Sequence, residues 1–316
     1  MIEESGYRAP WWMPGGQVQT IVPGLLGRAA LVTGERERLE LADGDFLDLD
    51  WHRAGRGKLA VLTHGLEADA KAACVQSMAA ALIDAGWDVL AWNHRGCGGE
   101  MNRLPRFYHS GATEDLDAVL KHAMAVHPAR RVDLVGFSLG GNLTLKYLGE
   151  SAGRLPEVIG RAVVFSVPCD LADSSRALSS RVNRAVYMRR FISSLGAKVR
   201  AKHAMFPEVI DVEKLCGVAT FRDFDERFTA PLHGFRDAED YWARCSCLPL
   251  LGRIDRPCLL VNAANDPFLG PACYPREVAA GSEMFHLEIP EAGGHVGFPG
   301  GDGGWMGRRA VEFLRS

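Results

Sequence analysis

Apolar and polar positions along this chain follow two alternating periods. Short apolar runs at 59–63, 88–92, 132–135, 162–167, 257–263 and 284–289 have the length and continuity of strands buried on both faces. Between them, residues 71–85, 113–126 and the stretch after 138 repeat their apolar positions at helical spacing, and 305–314 closes the chain in the same way. Gly86 predicts the stop of one helix, and Thr113 the N-cap of another. Ahead of this series, 38–41 and 46–51 alternate around Ala42-Asp43-Gly44-Asp45, an antiparallel hairpin pattern. Strand and helix taking turns predicts an α/β fold, with a mostly parallel sheet covered by helices on both faces.

Two stretches break the rhythm. Residues 1–30 lack regular periodicity but carry Trp11, Trp12 and Ile21-Val22, which predicts an arm packed on the body. Residues 169–250 hold helical patterns rich in Arg, Phe, Tyr and Met and no buried-strand pattern. They read as a helical cap inserted after the sixth strand, over the top of the sheet. The whole chain, 1–316, is then expected to form one domain with an arm and a cap.

Composition narrows the class. Hydrophobic residues make up 47% of 316, enough for a large core, and 36 Lys+Arg nearly balance 39 Asp+Glu. No basic stripe points to nucleic acid. No apolar run reaches the ~20 residues that span a bilayer, and the acidic, polar N-terminus lacks the basic and apolar regions of a secretion signal, so a cytoplasmic location is expected. The 8 cysteines are scattered, and free thiols are expected in a reducing compartment. Cys245 and Cys247 form the only close pair, without partners at zinc-ligand spacing, so no metal is expected.

The chemistry is concentrated where the apolar run 132–135 meets Gly136-Phe137-Ser138-Leu139-Gly140-Gly141. A G-x-S-x-G sequence between a strand and a helix holds its serine out at the top of a sheet, with glycines at the crowded positions of the turn. A serine hydroxyl needs an imidazole to take its proton and a carboxylate to orient that imidazole. In an open parallel sheet these should follow the carboxyl ends of late strands. Asp266 follows the run 257–263, and His295, in a glycine-rich loop, follows 284–289. Asp240, Asp255, His286 and His233 are weaker candidates for these two places, though His233 could line a pocket. The oxyanion of an acyl-transfer intermediate needs backbone N–H donors; Leu139, after the serine, and Leu66, in Thr63-His64-Gly65-Leu66-Glu67, are expected to supply them. His64 is expected to fix that loop rather than act as a base. Asn93–Gly99 is glycine-rich but lacks the spacing of a phosphate loop, and its Arg95 is expected to tie loops together. Phe191, Phe221, Phe224, Phe228 and Phe235 supply apolar rings to the cap; Phe224, Phe228 and His233 are the expected pocket residues.

PWWMPGGQVQTIVP in the arm, HGLE, RGCGGEMNRLPRFYHSGATED, GFSLGGN, TFRDFDERFTAPLHGF, NAANDPF and GGHVGF together resemble the YheT-like esterases, the type 4 family of the α/β-hydrolase superfamily, over nearly the whole chain. Two positions depart from the family pattern: Gln17 stands where a histidine is more usual, and Ala68 where glycine is commoner. The resemblance implies an α/β-hydrolase fold and a serine carboxylesterase with Ser138, Asp266 and His295 as its triad. It implies short- to medium-chain or lipid-like ester substrates and no cofactor. A thioesterase or acyltransferase would use the same triad, and a non-catalytic binding module could share the fold.

Overall fold

The computed structural model describes residues 1–26, 32, 34–300 and 304–316, so 27–30 of the expected arm lie outside the described residues. Among the described residues nine strands form one sheet, in the order β1-β9-β8-β7-β6-β4-β5-β3-β2. They are β1 (Ile2–Glu3), β2 (Glu35–Glu40), β3 (Phe46–His52), β4 (Lys58–Thr63), β5 (Asp88–Trp92), β6 (Arg131–Phe137), β7 (Ile159–Phe165), β8 (Cys258–Val261) and β9 (Phe285–Glu288). The hairpin β2–β3 and its junction with β5 are antiparallel; every other pairing is parallel.

The continuous apolar runs have a direct cause. In β4, Leu59 and Val61 enter one core while Ala60 and Leu62 enter the other. Leu90 and Trp92 of β5 divide from Val89 and Ala91 in the same way, as do Cys258 and Leu260 of β8 from Leu259 and Val261. A strand whose two faces are both covered fills most of its positions with apolar residues. One layer contains α3 (Thr113–Val126) and α4 (Leu139–Glu150); the other contains α2 (Ala73–Asp84) and the C-terminal helix Trp305–Arg315. The edge strand β2, Glu-Arg-Glu-Arg-Leu-Glu, is largely exposed and charged, which blocks pairing with another sheet.

Three local expectations need correction. The arm has regular structure: β1 pairs with β9, and α1 (Gly15–Leu26) follows. Its anchors are Tyr7, Met13 and Gln19, all buried, whereas Trp11 and Trp12 face outward. Thr113 is not a cap. Ala112 precedes the helix without a side-chain bond, and the Thr113 hydroxyl donates to Glu150. Because β1 adds a strand, the sixth strand expected from the sequence is the seventh of the chain.

Between β7 and β8 the chain runs through helices, beginning with α5 (Leu171–Leu178), and no strand occurs there among the described residues. Its longest described helix is Arg189–Met205. The segment gathers into apolar clusters, one of which joins its Leu195, Val199, Ile210, Phe224 and Phe228 to Phe107 of the chain between β5 and α3. Arg95 does tie loops together: its guanidinium binds Asp115 and Asp45.

Candidate active site

β6 ends at Phe137, and α4 begins at Leu139, leaving Ser138 alone to make the turn. Its φ is +51°, a region that L-residues avoid. The turn is also crowded. A Cβ on Gly136 would lie 2.7 Å from Gly140 O, and one on Gly140 would lie 2.3 Å from Thr63 O. Neither position accepts a larger residue, and the hydroxyl of Ser138 is forced clear of both elements.

Asp266 and His295 are delivered by the turns after β8 and β9. His295 Nε2 lies 2.9 Å from Ser138 Oγ, and its Nδ1 lies 2.9 Å and 3.1 Å from the two oxygens of Asp266. A carboxylate only accepts, so the proton belongs on Nδ1 and Nε2 keeps a lone pair for the serine hydroxyl. Asp266 is buried, and its Oδ1 also accepts the Phe268 N–H at 2.9 Å. The Phe268 ring stacks on the imidazole with centroids 4.0 Å apart.

The histidine loop is gripped from the other end of the chain. Thr20 Oγ1 accepts the His295 N–H at 2.8 Å while donating to Gly16 O. Gln19 Oε1 accepts from Gly293 N at 2.8 Å and from the Asn265 amide at 2.9 Å, joining the loop of His295 to the loop of Asp266. Asn265 Oδ1 in turn accepts from Gly294 N. The fit is close enough that a Cβ on Gly16 would lie 1.8 Å from Asn265 O. Sequence reasoning gave Gln19, Thr20 and Asn265 no role. The only signals for them were two motifs far apart along the chain, Pro-Gly-Gly-Gln-Val-Gln-Thr in the arm and NAANDPF around Asn265.

A cavity of about 270 Å³ opens over the serine. Gly65, Leu66, Ser138, Leu139 and His295 all line it, so both expected oxyanion donors share one cavity with the serine. A Cβ on Gly65 would come 3.2 Å from Ser138 Cβ, which shows how close that loop runs. His64 has its Nδ1 2.8 Å from Gly65 O, and its Nε2 accepts from His94 N; burial pushes its pKa down to about 4. A neutral, doubly bonded imidazole is a loop fastener.

Phe191, Phe221 and Phe224 of the cap line the walls, as does His233. Phe228 does not: it is buried behind Phe224, with ring centroids 5.2 Å apart. Its side chain is needed to fill the cap's own core, which a sequence pattern cannot distinguish from a pocket wall. Phe235 likewise packs on Tyr241 and His109. His233 is fixed between the carbonyls of Thr229 and Phe107, and burial lowers its pKa against their pull. Lys198 reaches from the cap to Glu67, 2.8 Å away, beside Leu66. Burial opposes its charge, but Cys97 and Glu67 outweigh burial and hold its pKa above the ordinary value. Among the described residues no cluster of His, Cys, Asp and Glu could hold a metal ion, and Cys245 and Cys247 are free and buried.

A model of the alpha/beta hydrolase fold matches residues 61–301. YheT of Escherichia coli strain K12, which bears the name of an esterase, is 36% identical over 290 residues, covering 90% of this chain and 84% of that protein. The chain belongs to the α/β-hydrolase family, among the YheT-like esterases. This hydrolase is also 29% identical to phospholipase ABHD3 of Mus musculus, across 94% of this chain and 74% of that one. Among solved structures, the Pyrococcus furiosus esterase Pf2001 shares its fold with a TM-score of 0.58 at 18% identity, over 89% of this chain and 92% of that chain. No described helix of the hydrolase is long and apolar enough to cross a membrane.

Proposed function

We propose that this protein hydrolyses carboxylic esters of short- to medium-chain acyl groups through an acyl-enzyme, with Ser138, His295 and Asp266 as its triad. The observation that carries this reading is the continuous line of contacts from Ser138 Oγ through His295 to a buried Asp266, at the base of a cavity walled by cap phenylalanines. Ser138 attacks the acyl carbon as His295 Nε2 takes its proton. The imidazolium, stabilised by Asp266, returns that proton to the leaving alcohol. The N–H groups of Leu66 and Leu139 receive the oxyanion. Water, activated by the same imidazole, then releases the acid. The whole chain acts as one unit, with 169–250 as its cap. Relatives named as an esterase and a phospholipase support an ester with an acyl chain. Eight free cysteines suit the cytoplasm.

The test is direct. A fluorophosphonate should label the native protein at Ser138, and Ser138→Ala should fold normally, escape labelling and lose nearly all turnover, keeping at most the ~10³–10⁴ over water that binding and the oxyanion hole supply. Well-folded protein that ignores the probe, or a variant that still hydrolyses esters at the native rate, would remove the proposal. Thioesters and an alcohol acceptor tried alongside would show whether water is the preferred acceptor.

A further inference from the structure

The cap carries cations that no described residue answers. Between Asp173 and Glu208 the sequence has eight Lys or Arg and no acid. Three of the eight are satisfied: Arg176 by Asp173, Lys198 by Glu67, and Lys202 by the carbonyls of Asn102 and Leu104. The other five, Arg181, Arg184, Arg189, Arg190 and Arg200, are exposed, and among the described residues none meets a carboxylate or a hydrogen-bond acceptor. Arg181, Arg184, Arg189 and Arg200 line one surface groove, whose other lining includes apolar Met188 and Ile192. Like charges this close repel one another, and an isolated chain has no reason to gather them.

The neighbouring arm has the opposite character. Residues 9–26 contain no charged side chain, yet Trp11 is 91% exposed, Trp12 58% and Leu25 68%. Val182 and Val186 stand exposed among the arginines as well. Arm and cap touch: the Gln17 amide donates to Asn183 at 2.9 Å, and the Tyr187 hydroxyl donates back to Gln17 at 2.5 Å. This is where the position that departs from the family pattern is used. The same stretch of cap reaches the cavity wall through Phe191 and Leu195.

We propose that this face, formed by the arm's tryptophans and the arginine-bearing segment 181–200, docks on the surface of an anionic lipid bilayer. Guanidinium groups pair bidentately with phosphate, and exposed tryptophan settles at the level of lipid headgroups. Unpaired arginines beside exposed apolar side chains are the composition of a surface that lies on a membrane without spanning it. An acidic protein would answer the arginines alone. The uncharged arm with two outward tryptophans favours lipid. Docked in this way, the protein holds its cavity wall next to the bilayer.

Flotation of the full chain with vesicles tests this without any turnover. The protein should rise with vesicles of equimolar phosphatidylcholine and phosphatidylglycerol, stay behind with phosphatidylcholine alone, and be released by salt. Each arginine removed should weaken partitioning about five-fold, so R181Q/R184Q/R189Q should lose about a hundred-fold. W11A/W12A should also weaken binding at low salt, where the arginines are still in place. Both variants should hydrolyse a water-soluble short ester at the native rate, showing that the fold is intact. Native protein that ignores the mixed vesicles, or a triple variant that binds them undiminished, would overturn the proposal. Salt-sensitive retention on polyglutamate with no vesicle binding would overturn it in favour of an acidic protein partner.

Discussion

Ser138 holds a backbone conformation that costs a non-glycine residue about 1–3 kcal/mol, and the surroundings enforce it. Its N–H donates to Phe165 O, and its carbonyl begins α4 by accepting from Asn142 N. The strain sets the position of the hydroxyl, so the side chain can change without disturbing the turn. Asp266 works differently, through the proton it holds on His295 Nδ1. Asp266→Asn keeps the shape but favours the wrong tautomer, and kcat should fall by as much as ~10⁴, with little change in melting temperature. Asp255→Asn is the control. Asp255 accepts from Gly153 N, far from the serine, and its loss should leave kcat intact. If Asp255→Asn proved the damaging change, Asp266 would not be the acid. Sequence reasoning and the structure bring the same three side chains together because each follows the end of a parallel strand. Phe228 escaped that logic. A ring in a cap core and a ring on a pocket wall have the same residue type and the same helical spacing.

At the scale of elements, α1 and the cap each set a condition on the site. The single hydroxyl of Thr20 on α1 holds the His295 backbone. Thr20→Val, of the same shape, should lower kcat by up to ~10²-fold through a small misplacement of the imidazole, while KM stays near native. Thr20→Ser should restore the rate. A KM that moves as far as kcat would show that Thr20 shapes the pocket instead. The apolar pattern of residues 1–30 did not announce this role, since periodicity describes an element's own faces and not a partner some 275 residues away. In the cap, Asp225 is buried against Trp242 Nε1 and Thr229 Oγ1, and burial raises its carboxyl from 3.8 to about 6. Between these values the folded chain keeps a proton that the unfolded chain has lost. The contribution to stability is complete below 3.8 and disappears as pH rises through 6. Native protein should therefore gain melting temperature, relative to Asp225→Asn, as pH is lowered from about 7 to about 4. Parallel pH profiles for the two proteins would show that Asp225 is not the group responsible.

Over the whole molecule, the sheet was legible almost strand by strand, because burial on both faces leaves uninterrupted apolar runs. β1 was missed: a two-residue strand carries no period. The cavity between sheet and cap makes a quantitative claim on substrate length. Each methylene buried against Phe191, Phe221 and Phe224 adds up to ~0.8 kcal/mol, so kcat/KM should climb from acetyl esters to roughly hexanoyl esters and then level. Alanine at those three positions should shift the optimum; alanine at Phe228 should cost about 3–5 kcal/mol of stability and leave the optimum in place. Activity that falls steadily from acetyl onward would exclude an apolar acyl site. The contacts around His295 also set a schedule for synthesis. Ser138 precedes its base by 157 residues, and Thr20 precedes the backbone it grips by 275. At the ~5–20 residues per second of translation, the serine spends roughly 8–30 s on a growing chain with no imidazole to take its proton. On the proposed mechanism, order along the polypeptide acts as a timer: the serine is made early, and its reactivity would arrive only with the last turns of the sheet.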